Sequence, residues 1–163
     1  MFDHSVHTAT PTNQTAAPAA SPLTIMLVDD NQTFVTAVRQ FLDRLPGVQI
    51  VAQASNGKSA LAHLRRHRPA LVLLDIAMPG MNGLELARAI LQDPAPPQLT
   101  FLSMHDNREY REAARELGAD FVSKADFVSE LLPLLRARIP LAPAPAPAPD
   151  AVPGTDNRSA AER

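Results

Sequence analysis

Asp29 and Asp30 close the apolar run Leu23-Thr24-Ile25-Met26-Leu27-Val28, and Asp75 closes Ala70-Leu71-Val72-Leu73-Leu74. Short apolar runs ended by polar residues read as strands buried on both faces, as in a parallel sheet covered by helices. Ligands of such open sheets bind just beyond the carboxyl ends of the strands. If the two runs are neighbouring strands, three carboxylates converge there and repel one another unless a hard divalent cation neutralises them. The cluster therefore predicts a metal site. With a cation held by Asp30 and Asp75, a remaining carboxylate oxygen is free to attack an electrophilic phosphoryl group. The plainer reading of Asp29 or Asp30 is a cap on the helix that follows. Asp75 resists that reading, because the next helix starts only near Asn82.

Two more residues belong to the same edge. Ser103 ends the fourth apolar run and Lys124 follows the fifth. Alone, each reads as a turn former and a solvated charge. Lys124 is less ordinary because the chain uses 13 Arg and only two Lys, the other being Lys58 at a helix start. A compact ammonium suits a point contact to a carboxylate or phosphoryl oxygen where the fork of an Arg would not fit. The glycines at 47, 57, 80, 83, 118 and 154 match no dinucleotide or phosphate-loop spacing, and an acidic first loop would repel the phosphate of a flavin or nucleotide. His63, His67 and His105 do not read as ligands from one element, so no transition-metal site is expected.

The elements that must position these residues alternate five times. Strands are expected at 24–29, 48–54, 70–75, 99–103 and 120–123, and helices at 32–45, 58–67, from about 84 to 91, 107–117 and 127–138. The first helix places Phe34, Val35, Val38, Phe41, Leu42 and Leu45 at helical spacing and meets Pro46-Gly47, a stop signal. Pro133 falls inside the last helix and removes a backbone donor, which predicts a kink or a late start near Ser129. Alternating strands and helices with short loops imply an α/β fold, a five-stranded parallel doubly wound sheet with five helices. Right-handed crossovers favour the strand order 2-1-3-4-5, which sets the first and third strands side by side.

The core is expected over residues 23–139. Residues 1–22 are Ala, Thr, Ser and Pro with almost no large apolar group, and 140–163 carry an Ala-Pro repeat. Both tails read as disordered, since neither can bury enough surface to offset its conformational entropy. Within 23–139 there are 13 acidic and 13 basic residues, so no basic face suited to nucleic acid stands out. The chain has no cysteine, which fits a cytoplasmic location. Neither a secretory signal nor an apolar run of the roughly 20 residues that cross a bilayer is present, so no membrane partner is expected.

At this point the chain resembles a family. Asp29-Asp30, Asp75 with Met78-Pro79-Gly80-Met81-Asn82-Gly83, Leu102-Ser103 and Gly118-Ala119-Asp120-Phe121-Val122-Ser123-Lys124 are together similar to the receiver domain of two-component response regulators. The resemblance covers roughly 23–139 and implies a flavodoxin-like fold. It implies that Asp75 is the phosphoacceptor for a histidine kinase or phosphotransfer protein. It further implies that Asp30, Asp75 and the backbone carbonyl of Ala77 ligate Mg²⁺, with Asp29 acting directly or through water. By the same resemblance Lys124 would contact the acyl phosphate, Ser103 would swing toward it, and Phe121 would follow inward as the switch aromatic. The fourth helix, fifth strand and fifth helix would report the change to a downstream protein. Met104 is bulky where the family often has a small residue, which would narrow access to the acyl phosphate.

Three functions compete. The first is a stand-alone receiver, a phosphoacceptor and not an enzyme beyond Mg²⁺-dependent self-phosphorylation and dephosphorylation, signalling by protein contact without touching nucleic acid. The second is the receiver part of a DNA-binding transcription regulator, cut at its linker. The third, an aspartate-nucleophile phosphohydrolase, would need a second carboxylate two residues after the nucleophile, where Ala77 stands.

Overall fold

The computed structural model describes residues 21–140; the expectations for 1–20 and 141–163 lie outside the described residues. Five strands, β1 (Leu23–Val28), β2 (Val48–Ala54), β3 (Leu71–Asp75), β4 (Gln98–Ser103) and β5 (Asp120–Ser123), alternate with five helices, α1 (Gln32–Leu42), α2 (Gly57–His67), α3 (Gly83–Ile90), α4 (Arg108–Glu116) and α5 (Phe127–Arg138). All strand pairs are parallel, and the order is β2-β1-β3-β4-β5, as expected from the alternating pattern.

Side chains of a strand alternate between its two faces, and the core divides accordingly. Met26, Val28, Val72, Leu74, Leu99 and Phe101 face α2, α3 and α4 through Ala60, Leu64, Leu86, Ala87, Ile90 and Ala114. Ile25, Leu27, Leu71, Leu73, Leu102 and Val122 face α1 and α5 through Val35, Val38, Leu42, Leu131 and Leu135. β3 is buried at every position, so its carboxyl end arrives at the sheet edge from inside the molecule.

The helix boundaries depart from expectation where local chemistry competes. α1 ends at Leu42, a turn before Leu45, because a residue preceding proline is pushed toward extended backbone and the chain must turn through Gly47 at φ +81°. α5 begins at Phe127 and runs on past Pro133 to Arg138, so the late start near Ser129 does not occur. Pro133 lies on the exposed side of α5, and buried Leu131 and Leu135 keep the helix docked around it.

Candidate functional site

Asp29 is buried and Asp75 is buried, while Asp30 is exposed. Each offers a carboxylate oxygen, and the three oxygens lie within 4.8 Å of one another. The pairing of β1 with β3 causes this meeting: Val28 stands opposite Leu74, so the residues that follow both strands share one edge. The helix caps fall elsewhere. Asn31 caps α1, accepting hydrogen bonds from the amides of Thr33 and Phe34, and Asn82 caps α3 in a reciprocal pair with Glu85. The capping explanation for the aspartates therefore fails, apart from one local bond in which the Asn31 amide donates to Asp29 Oδ1 at 2.9 Å.

Lys124 arrives from the end of β5, its amide donating to the Ser103 carbonyl at 2.9 Å. Its ammonium stands 2.6 Å from Asp29 Oδ2 and 3.0 Å from Asp75 Oδ1, with all three side chains almost wholly buried. The first contact is one of charge: Asp29 Oδ2 has no well-directed hydrogen bond. Burial raises the Asp75 carboxyl above its ordinary range, against the pull of Lys124, whose charge and hydrogen bond lower it, and with a smaller push from Asp29. Three carboxylates thus gather at one edge where a single ammonium pairs with two of them, which leaves an acidic excess. An all-oxygen donor set with surplus negative charge and an under-bonded buried oxygen fits a hard divalent cation.

Ser103 is fully buried at the end of β4. Its hydroxyl is tied to the next loop, accepting from the His105 amide at 3.1 Å and reaching the His105 carbonyl at 3.3 Å. Phe121 is half-buried in β5, and the Arg111 guanidinium lies over its ring at 4.6 Å from the centroid. Arg111 in turn grips Asp106 of the same loop that holds Ser103, at 2.5 and 2.7 Å, and that hydrogen bonding holds the Asp106 carboxyl below its usual range. The Ser103 hydroxyl is therefore bonded to the segment 104–107 and not to the carboxylates, and Phe121 is linked to that segment through Arg111. Met104, at the start of that segment, is 68% exposed, with its side chain largely in solvent.

Phe34, Asn31 and Arg111 join the site without a signal in the sequence. Helical spacing assigns Phe34 to the core, yet its ring also faces the Lys124 ammonium, 4.7 Å from the centroid. The reading of the histidines also needs correction: His63 and His67 are one turn apart on α2, with ring centroids 5.7 Å apart. They share a helix face after all, on a helix whose last turn also carries Arg65 and Arg66.

Comparison with known proteins points one way. A family model described as the response regulator receiver domain matches residues 25–136. The nitrate/nitrite response regulator NarP of Escherichia coli is 35% identical over 121 residues, 74% of this chain and 56% of that protein. A protein-glutamate methylesterase/protein-glutamine glutaminase of Desulfotalea psychrophila is 38% identical over 105 residues, 63% of this chain and 29% of that protein. The chain thus spans about half, or less, of the length of these relatives. Among solved structures, the signal receiver domain of NarL from Mycobacterium tuberculosis superposes with a TM-score of 0.64 at 28% identity, covering 72% of this chain and 99% of that one.

Proposed function

Since the chain belongs to the response regulator receiver family, we propose that it takes a phosphoryl group on Asp75 from a histidine kinase or phosphotransfer protein and signals by phosphorylation-dependent protein contact. The observation that carries this reading is the gathering of Asp29, Asp30 and Asp75 within 4.8 Å at one strand edge, with Lys124 bridging two of them. In the step itself, an Asp75 carboxylate oxygen attacks phosphorus, a new P–O bond forms, and the donor's P–N bond breaks with its electron pair left on the imidazole nitrogen. Asp29, Asp30, Asp75 and the Ala77 carbonyl would hold Mg²⁺, which supplies positive charge to phosphoryl oxygens when bound.

The remaining work falls to the chain. An aspartyl phosphate brings about two negative charges into an acidic edge, and Lys124 is placed to take up part of them. Ser103 would exchange its bonds with His105 for one to a phosphoryl oxygen, a stronger, charge-assisted bond. That exchange frees the 104–107 segment, and with it the Asp106–Arg111 grip beside Phe121, so the ring can move inward. The surface of α4, β5 and α5 then changes shape for a downstream protein. A cytoplasmic location and a folded unit over 23–139 belong to the same reading; among the described residues no helix is long and apolar enough to cross a membrane.

The greater length of the curated relatives leaves room for a second reading, the receiver part of a longer DNA-binding regulator. The expectation of no nucleic-acid contact gains no support from them, and one structural neighbour, the regulator RcsB, was solved as a DNA complex. Phosphoramidate with and without Mg²⁺ tests the first reading: labelled protein that loses its label in alkali and forms only with the metal supports it, and absence of label with Mg²⁺ contradicts it.

A further inference from the structure

We infer that Phe34 is a positioning residue for Lys124, its ring face serving as a non-directional seat on which the ammonium can shift between Asp29 and a phosphoryl group on Asp75. This inference rests on the phosphoacceptor reading. A lysine stem is flexible, and a buried ammonium must be held by its surroundings to stay in one place. Asp29 Oδ2 and Asp75 Oδ1 attract it from the carboxylate side at 2.6 and 3.0 Å. The Phe34 ring bounds it from another side, its centroid 4.7 Å from Nζ, inside the range where a ring's negative face attracts a cation. With only 5% of the Lys124 side chain exposed, water screens that attraction little.

The ring is itself fixed. It meets Phe127 of α5 edge to face, 5.4 Å between centroids at 76°. Its backbone amide donates to Asn31 Oδ1 at 3.1 Å, and the Asn31 amide donates to Asp29 Oδ1 at 2.9 Å. One short segment, Asp29 to Phe34, therefore presents both the carboxylate and the ring to the same ammonium. When the charge on Asp75 moves outward onto a phosphoryl group, the ammonium must follow it. A hydrogen-bond acceptor in the place of Phe34 would hold one donor to one direction; a ring face attracts across its whole width and lets the charge move.

Phe41 provides the control. It packs on the same Phe127 ring, 5.7 Å between centroids at 88°, and its helical position is two turns further from the carboxylates. The experiment is calorimetric titration of the full chain with beryllofluoride in Mg²⁺, and separately with Mg²⁺ alone, for wild type, Phe34→Leu, Phe34→Tyr and Phe41→Leu. Phe34→Leu is expected to bind beryllofluoride roughly two- to thirty-fold more weakly, the span of a cation–ring contact, with Mg²⁺ affinity equal to or above wild type because a loosened ammonium competes less for the carboxylates. Phe34→Tyr keeps the ring and should stay near wild type, as should Phe41→Leu. Unchanged binding by Phe34→Leu overturns the inference, and so does an equal loss in Phe41→Leu, a failure of Tyr to restore, or a matching fall in Mg²⁺ affinity, each of which marks packing alone. If wild type itself ignores beryllofluoride, the phosphoacceptor reading falls and this inference with it, a result separable from any effect of the variants. A measurement on wild type keeps the test open should the Phe34→Leu protein not fold: the Cε protons of Lys124 should be shifted upfield by the ring, and ordinary lysine shifts would overturn the proposal.

Discussion

Burial pushes the Asp75 carboxyl above its ordinary range, Lys124 pulls it down, and burial prevails. An acid whose folded pKa lies above its unfolded value of about 3.9 contributes stability that is full below that value and is lost as pH rises through the folded one. At neutral pH the ionised carboxylate is therefore a cost to the metal-free fold. Asp75→Asn in Mg²⁺-free buffer is expected to raise the thermal midpoint at pH 7 by a few degrees, the shift that about 1 kcal/mol produces in a domain of this size. The gain should shrink toward pH 4; a lowered midpoint at pH 7 would contradict the account. Lys124→Arg keeps the charge but replaces a point donor with a fork. Labelling of Asp75 should persist in that variant while binding of the downstream partner loses its dependence on phosphorylation, measured by pull-down with and without beryllofluoride; an unaltered response would show that the geometry of the ammonium is irrelevant. At this scale the sequence was half legible. Strand-end acids declare themselves by type and place, whereas the approach of Lys124 to both Asp29 and Asp75, the seat on Phe34 and the grip of Arg111 on Phe121 join residues far apart along the chain, and no spacing encodes such contacts.

Gly83 shows how an element holds the site. As the first residue of α3 it donates its amide to the Ile76 carbonyl at 2.9 Å, and a Cβ placed on it would lie 2.1 Å from the Asp75 carbonyl oxygen and 2.8 Å from Ile76 Cα. Only glycine lets α3 begin against the end of β3. Gly83→Ala is expected to destabilise the fold by about 1–3 kcal/mol, the usual cost of overpacking, and to weaken Mg²⁺ binding because the displaced backbone carries Asp75. Denaturant titration with and without Mg²⁺ checks both; a stable protein with intact Mg²⁺ affinity would show that the loop absorbs the methyl group. Elements were the most legible level, since continuous apolar runs mark strands buried on both faces and helical spacing marks the buried face of a helix. The two misses have opposite causes: in α5 tertiary packing overrode a local signal, and in α1 a local turn overrode the apolar spacing. Leu131 and Leu135 hold α5 together across Pro133, while the turn at Pro46-Gly47 cut α1 short of Leu45.

For the molecule as a whole, the sheet order brings β1 and β3 together and so makes the site a property of the complete fold. A ligand that binds only the folded state stabilises it by mass action. A fragment of residues 21–140, the described unit, is therefore expected to unfold in one cooperative step and to gain about 2.7 kcal/mol of stability at a Mg²⁺ concentration a hundredfold above its dissociation constant. A midpoint insensitive to Mg²⁺ and to chelator would contradict a metal site there. The fold class and strand order could be read from the chain because five apolar runs alternate with five amphipathic segments. The partner face could not, since balanced charge and scattered apolar residues mark no surface above another.

The most direct test of the central claim is mass spectrometry of the peptide containing Asp75 after treatment with acetyl phosphate and Mg²⁺, for wild type and Asp75→Asn. One phosphoryl group is expected on Asp75 in wild type, none after chelation of the metal, and none in the variant. A phosphoryl group on another residue of the wild-type protein, or equal incorporation in Asp75→Asn, would contradict it.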